Sequence, residues 1–328
     1  MTDRSRHTST RLRALPVVTC LGLAAAAACA QDLPLKPVRM LVPSVAGGPS
    51  DFAARLIAPR LGAALNRNVI VDARASVNGI VATEIAAHAA PDGSTLAIGN
   101  NGTHVINAGL YRKLPYDPVR DFAPVSKLIS AGTVLVAHPR LEANSFREFV
   151  VAAKREPGKY NIAVAGANGA ITTEVLKSAT GINLNNVPYK GSAPSEFAVV
   201  SGEVSVAMLS LPTAAPYVKS GKMKALGIST LKRSPLLPDV PTIDESGIAG
   251  FEFGNWHGLF APTGTPEHIV RLLHAHIVRI FADQEIRELV QARGSEIIAS
   301  SPADFAASLG RDIQRYRALM AAAGIQPQ

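Results

Sequence analysis

The chain has 328 residues, enough for one large domain or two lobes of ordinary size. Apolar residues make up 47% and charged residues 18%, an ordinary soluble balance that excludes disordered, collagen-like and coiled-coil classes. Lys and Arg number 33 against 25 Asp and Glu, a formal +8 that would suit a nucleic-acid partner only if the cations clustered, which they do not.

The first 30 residues have the anatomy of a cleaved secretory leader. Arg4, Arg6, Arg11 and Arg13 form a basic start, Ala14 to Ala28 an apolar run, and Ala28-Cys29-Ala30 places small residues before Gln31. A run of this length falls short of the roughly 20 residues that span a bilayer. Lipidation at Cys29 is the alternative, but Ala26-Ala27-Ala28 is a poor lipobox. Cleavage removes four Arg and one Asp, leaving 29 basic and 24 acidic residues and a net charge of +5. It also removes Cys20 and Cys29, the two cysteines of the chain, which excludes disulfides, thiol nucleophiles and Cys-metal sites from the mature protein. The remaining cations recur singly or in pairs, as at Lys222, Lys224 and Lys232-Arg233, without an aromatic stacking platform, so nucleic acid is not an expected partner.

Beyond the leader, short β-branched runs alternate with helical stripes, the pattern of an α/β protein with largely parallel sheets. Strands are predicted at Val38 to Val42, Val69 to Val71 and Leu96 to Gly99, with helices over Asp51 to Leu65 and Gly79 to Ala90. Asn100, Asn101, Thr103, His104 and Asn107 make Gly93 to Tyr111 a polar loop. A second series begins at strand Thr133 to Ala137. Helix Phe146 to Arg155, strand Asn161 to Ala165, helix Ile171 to Thr180 and strand Asn186 to Val187 follow. Then come helix Ser195 to Ser201 and strands Val204 to Leu209 and Lys224 to Ser229. The pattern resets after Pro235, Pro238 and Pro241, with strand Gly258 to Ala261, a helix opened by Pro266 at its first position, strand Glu296 to Ala299 and helix Pro302 to Ala323.

Hydrolase and nucleotide fingerprints are missing: no Gly-x-Ser-x-Gly elbow, Walker loop or Gly-x-Gly-x-x-Gly run occurs. His274 and His276 are two apart on a helix, about 200° around its axis, and do not form a metal pair. His88, His104, His138, His257 and His268 are scattered and read as solvated or structural. No catalysis, metal or cofactor is expected. Anion-binding backbone fits better. Pro43 to Asp51 leaves a strand and enters a helix, where free N–H groups attract a carboxylate or phosphate, and Gly47 and Gly48 let a ligand approach the backbone. The competing reading is a plain turn with Ser50 or Asp51 capping the helix. Gly166 to Ala170 repeats the arrangement in the second series. Pro188-Tyr189-Lys190-Gly191-Ser192 adds an aromatic face and a cation, and Asn100 to His104 lies at the carboxyl end of a strand, where open α/β sheets place ligands. Trp256 reads as core in preference to cleft wall.

Taken in order, these segments resemble the extracytoplasmic receptors of tripartite tricarboxylate transporters, the Bug family. The likeness runs through Lys36-Pro37-Val38-Arg39, Gly47-Gly48-Pro49-Ser50-Asp51, Ala90-Pro91-Asp92-Gly93, Leu114 to Pro118 with Asp121 to Val125, and Val187 to Pro194. It continues through Leu237 to Thr242, Gly258 to Pro262 and Gly264-Thr265-Pro266. The resemblance implies a type II periplasmic-binding-protein fold, two α/β lobes with a ligand cleft between them. Lobe I would comprise 31–132 plus 250–328, and lobe II 133–249. It implies a periplasmic receptor that binds a small organic carboxylate and delivers it to membrane permease subunits, or else presents it to a signalling partner, and a monomeric chain. The ligand-binding residues it implies are Ala46, Gly47, Ser50, Asp51, Asn101 and Thr103 from the first lobe. Gly166, Ala170, Tyr189, Gly191 and Ser210 come from the second.

The chain departs from the family pattern in three places. Ser44 to Ala46 stand where Phe and Pro are usual. The stretch from Gly166 to Glu174 is short and lacks a common His, with Thr172 and Thr173 nearby. Leu209-Ser210 replaces an Asp-Asn pair before Leu211-Pro212. The second-lobe wall is therefore expected to be less polar, suiting a ligand with one strongly held carboxylate and a less polar remainder.

Overall fold

The computed structural model describes Thr2 and residues 34–189, 192–322 and 325–327. The expected leader and its cleavage point lie outside the described residues, as do Lys190, Gly191 and the predicted helix end at Ala323. The fold set out below belongs to the compact unit Leu33–Gln328.

The chain opens with β1 (Val38–Val42), α1 (Pro49–Leu65), β2 (Val69–Ala73), α2 (Ile80–Ala87) and β3 (Thr95–Asn100). A π-turn, Gly102–Ile106, leads into the short α3 (Asn107–Leu110), and β4 (Phe122–Ala137) follows. The middle comprises α4 (Phe146–Arg155), β5 (Asn161–Ala165), α5 (Gly166–Thr180), β6 (Asn185–Tyr189), α6 (Ser192–Ser201), β7 (Val206–Ser210), α7 (Leu211–Lys219) and β8 (Lys224–Ile228). The chain closes with β9 (Gly254–Pro262), α8 (Glu267–Ala282), α9 (Gln284–Ala292), β10 (Ser295–Ile297) and α10 (Pro302–Ala322).

Two sheets meet on one strand. The first has the order β2-β1-β3-β9-β4, with β10 also on β4; the second runs β4-β7-β5-β6, with β8 also on β4. Strands β1, β2 and β3 are mutually parallel, as are β5, β6 and β7, and every pairing of β4 is antiparallel. The change of partner along β4 is abrupt: Gly132 pairs with Gly254 of β9, and the next residue, Thr133, pairs with Ser210 of β7. At this crossing the buried Ser229 hydroxyl accepts from the Thr133 backbone N–H (2.8 Å) and donates to the Phe253 carbonyl.

Burial on both faces explains the near-continuous apolar strands. In β1, Val38, Met40 and Val42 pack with Leu56, Ile57 and Leu61 of α1 and with Leu273 and Ile277 of α8. Leu41 points the other way, into a core that also holds Leu135 and Ile162 from the second sheet and Phe305, Leu309 and Ile313 from α10. That core is common to both halves. A third cluster joins Val134, Val136 and Ala207 to Val199 of α6 and Leu211 of α7. Local signals set several boundaries. Before α4, Ser145 accepts from the Glu148 N–H (3.2 Å), and the Glu148 carboxylate accepts from the Asn144 N–H (2.8 Å), a capping box displaced by one residue.

Four sequence expectations need correction. Gly93 to Tyr111 is not a polar loop: it contains β3, the π-turn and α3, and its polar side chains face inward. Gly166 to Ala170 is not a loop between strand and helix but the first turn of α5, which begins directly after β5. Helix α1 starts at Pro49 with Gly48 in the capping position, so neither Ser50 nor Asp51 is its cap. Pro266 likewise precedes α8 as its capping residue and is not its first helical residue.

Candidate functional site

Parallel register brings the carboxyl ends of the strands to one level. In the first half, Leu41 pairs with Ala97, which sets the exit of β1 beside that of β3. The turn after β1 uses Gly47 at φ +82°, a left-handed conformation that favours glycine. The Gly47 N–H donates to Asp51 Oδ2 (2.8 Å), and Arg55 Nε donates to the same oxygen (2.8 Å). The Arg55 guanidinium, with the Gly47 N–H, holds the buried Asp51 carboxyl below its ordinary value. Asp51 therefore fastens the loop to the helix, while Ala46 and Gly47 themselves are exposed.

Ser50 is only 3% exposed. Asn100 Nδ2 donates to its Oγ (3.0 Å), and His257 Nδ1 of β9 lies 3.2 Å from that oxygen. Asn100 is held in turn by Thr103, whose N–H donates to Asn100 Oδ1 (3.0 Å) and whose Oγ1 accepts from the Asn100 N–H (3.0 Å). His104 Nδ1 lies 2.8 Å from Thr103 Oγ1, and its ring stacks on Phe260 at 4.0 Å between centroids. Burial pulls the His104 pKa down to about 3 and that of His257 to about 4, so both rings are neutral. His104 Nε2 has no partner among the described residues. The neutral ring is best satisfied with its proton on Nδ1, donated to Thr103 Oγ1, because an orphaned buried N–H costs more than an unused lone pair. Thr103 can then donate to the Asn100 carbonyl (3.2 Å). Both histidines are structural, but their position under the strand exits makes them supports of the site. Scattered single histidines in the sequence carry no signal of this.

Asn101, expected as a ligand contact, is spent elsewhere. Its Nδ2 donates to the Gly254 carbonyl (3.1 Å) and to the Tyr316 hydroxyl (3.2 Å), and its Oδ1 accepts from the Trp256 N–H (3.0 Å). These bonds tie the start of the π-turn to β9 and α10. Trp256 is core, as read from the sequence, at 4% exposure and edge-on to Phe305.

In the second half, Ala165 pairs with Tyr189 and Ala163 with Ala207, so β5, β6 and β7 end together. Gly166 opens α5 at this edge, its backbone N–H among the four that a helix start leaves without intrahelical partners. Ala170 is half-buried one turn on. The Tyr189 hydroxyl donates to Glu203 Oε1 (2.8 Å), and Ser210 sits at the end of β7 with its carbonyl accepting from Thr213 Oγ1 (3.1 Å). Gly191 lies outside the described residues.

A cavity of about 460 Å³ lies where these edges meet. Pro43, Ser44, Val45, Asn78, Asn100 and Thr103 line it from the first half, and Ala165 from the second. No charged side chain lines it. Gly79, at φ +70°, is pressed into this wall: a Cβ there would lie 2.7 Å from both Pro43 Cβ and Thr103 Cγ2. Of the expected site residues, the structure thus places Thr103 on the wall, Ser50 behind Asn100, and Gly166 next to Ala165. Asn100 and Ser44 also line the cavity; both lie in segments the sequence singles out, though neither is among the contacts the resemblance implies. Among the described residues no group of three His, Cys, Asp or Glu could hold a metal ion, and no helix is long and apolar enough to cross a membrane. The arrangement offers an anion neutral donors and helix N–H groups.

Comparison with known proteins agrees with this geometry. The sequence pattern of the tripartite tricarboxylate transporter family receptor matches residues 53–325. Protein BugT of Bordetella pertussis is 30% identical over 303 residues, covering 92% of this chain and 93% of that protein. An adipate-bound protein of R. palustris is 32% identical with a TM-score of 0.76, over 90% of this chain and 100% of that one. MatC of Rhodopseudomonas palustris with bound malate is 33% identical with a TM-score of 0.71, over 87% and 99%.

Proposed function

The chain belongs to the tripartite tricarboxylate transporter receptor family, a family of solute-binding proteins with a two-lobed α/β fold, and from that premise we propose that it is a periplasmic receptor for a small organic carboxylate. The single observation that carries this reading is the uncharged cavity at the strand ends of the first half, which Ala165 touches from the second. Neutral donors suit a ligand that must be released again: backbone N–H and amide groups bind an anion without a buried countercharge that would be left unpaired on exit. Adipate and malate in the two R. palustris proteins support a carboxylate as the ligand class.

In this proposal lobe I comprises 31–132 plus 250–328 and lobe II 133–249, a division supported by the change of partner between Gly132 and Thr133. Ser50 and Asp51 shape the first anion loop with Ala46 and Gly47, Thr103 faces the ligand, and Gly166, Ala170, Tyr189, Gly191 and Ser210 form the opposing edge. The mature chain begins at Gln31, acts as a monomer without catalysis, and hands its ligand to membrane permease subunits. The test is a thermal-shift and calorimetric screen of the mature protein over mono-, di- and tricarboxylates. A ligand at 100 times its Kd adds about 2.7 kcal/mol. Stabilisation by one acid class, with the acid recovered unchanged by mass spectrometry, is the expected result. No response to any acid overturns the proposal. N-terminal sequencing of the exported protein checks the cleavage point.

A further inference from the structure

The turn after β3 sends neighbouring residues to two separate cavities. Asn100 lines the one at the strand exits, whereas Asn101 lines another of about 240 Å³, and no residue lines both. The walls of this second cavity come from β4, β9, β10 and α10. Register builds one of them: Glu296 of β10 pairs with Ser130 of β4, and Ser130 pairs with Trp256 of β9, so the three stand in a row across adjacent strands. A strand spacing of about 4.8 Å puts the backbone of Glu296 roughly 10 Å from that of Trp256.

The buried residues around this cavity have donors to spare. Trp256 and Tyr316 are each 4% exposed. The indole N–H of Trp256 has no partner among the described residues, and the Tyr316 hydroxyl, which accepts from Asn101 Nδ2, has no acceptor for its own proton among them. Lys127 adds a charge. Its side chain is 16% exposed, and its Nζ lies 5.4 Å from the centre of the Trp256 ring and 5.8 Å from that of Phe305. Asp312 Oδ2 stands 3.7 Å away, beyond the usual hydrogen-bonding length. Burial pulls the Lys127 pKa below its ordinary value, against the opposing pull of Asp312 and Glu252. An ammonium walled by aromatic rings is thus short of the charge-assisted acceptor that would offset its desolvation. At the rim the sign reverses. Glu252 and Glu296 line the same cavity, are exposed, and form no ion pair among the described residues. A simple anion would be repelled by these carboxylates and a simple amine by Lys127, whereas a molecule bearing both charges a few bonds apart suits both. We propose that this cavity is a second ligand site, taking a small zwitterion of the α-amino-acid kind whose carboxylate meets Lys127 and Trp256 and whose ammonium meets Glu252 and Glu296. The inference stands apart from the receptor reading of the other cavity.

Trp256 is the single tryptophan of the chain, so its fluorescence reports on this site directly. The mature protein is titrated with glycine, alanine and serine, with acetate and propionate as the acid half alone, and with methylamine and ethylamine as the amine half alone. A saturable change with the amino acids, and binding at least tenfold weaker for either half, is the expected result. K127M, which keeps an apolar stem against the two rings, is expected to weaken the amino acids roughly 10- to 100-fold, the loss of one hydrogen-bonded charge. E252Q/E296Q should weaken them at least tenfold with an unchanged melting temperature, since both side chains are exposed and unpaired, and this separates lost binding from lost folding. No saturable change with any amino acid overturns the proposal. So does a response that persists in both variants, which would assign it to the other cavity, or one that acetate alone reproduces at equal affinity, which would make the site a plain anion site.

Discussion

Replacing Asn101 with Ala separates a structural amide from a ligand contact. The side chain is 3% exposed and makes three bonds, to the Gly254 carbonyl, the Tyr316 hydroxyl and the Trp256 N–H. Truncation to a methyl group would leave the two backbone groups without these partners inside the protein, at about 1–3 kcal/mol for each orphaned group. A total of about 3–4 kcal/mol is a large share of the 5–15 kcal/mol by which domains are usually stable. For a chain of this size it corresponds to a fall of roughly 5–6 °C in Tm. Differential scanning calorimetry of wild type and N101A, with ligand titrations well below both transitions, reads both quantities. The expected outcome is the Tm fall with ligand affinity within about twofold of wild type. An unchanged Tm with affinity lost more than tenfold would show that the amide faces the ligand and would refute the assignment.

Three further outcomes follow from the same coordinates. Gly258→Ala drives a Cβ into Phe305 Cζ, inside a fully buried contact, and is expected to destabilise by about 1–3 kcal/mol in chemical denaturation; adding Phe305→Leu should recover part of the loss, and no recovery would point to backbone strain instead. His104 and His257 are neutral when folded, with values near 3 and 4 against about 6.5 when unfolded, so the unfolded chain takes up more protons as pH falls below about 6.5. Stability should be fully present above that pH and decline towards pH 4, by up to about 1.4 kcal/mol per pH unit for each ring. A variant carrying both H104Q and H257Q should show a shallower slope, and an unchanged slope would assign the acid sensitivity elsewhere. Asp51→Asn removes the carboxylate that Gly47 and Arg55 share; since that carboxyl is held below its ordinary value, the stability it supplies is present above about pH 4 and lost as pH falls through the lowered value. The Tm gap between D51N and wild type should therefore close in acid.

Elements with one simple pattern are legible in the sequence. β1, α4 and β5 have the predicted bounds, because a β-branched run or a capped amphipathic stripe has no rival reading over their lengths. The first eleven residues of β4 are hidden by Pro124, Lys127, Ser130 and Gly132. The register shifts between Pro124 and Ser126 and again between Lys127 and Ile129, so no regular alternation survives in the sequence. Helix α7 is masked by Pro212 and Pro216; the first is harmless near a helix start, and the second falls inside, where proline normally argues against a helix. The anion loops are visible as glycine-rich strand exits, whereas the supports beneath them are not. Which of Asn100 and Asn101 faces the cavity depends on the turn after β3, and the pairing of Ser50 with His257 spans 207 residues.

One topological detail bears on how the molecule comes into being. β9 lies between β3 and β4 in the first sheet, although it is made more than a hundred residues after either of them. Until Gly254–Pro262 has been synthesised, β3 and β4 have no strand to join them, and the hydrogen-bonding edges that face β9 stay open. Such non-local closure is slow, since the entropy of a long loop must be overcome before the contacts that reward it can form. A nascent chain held open in this way cannot close its first sheet until its last quarter has been made.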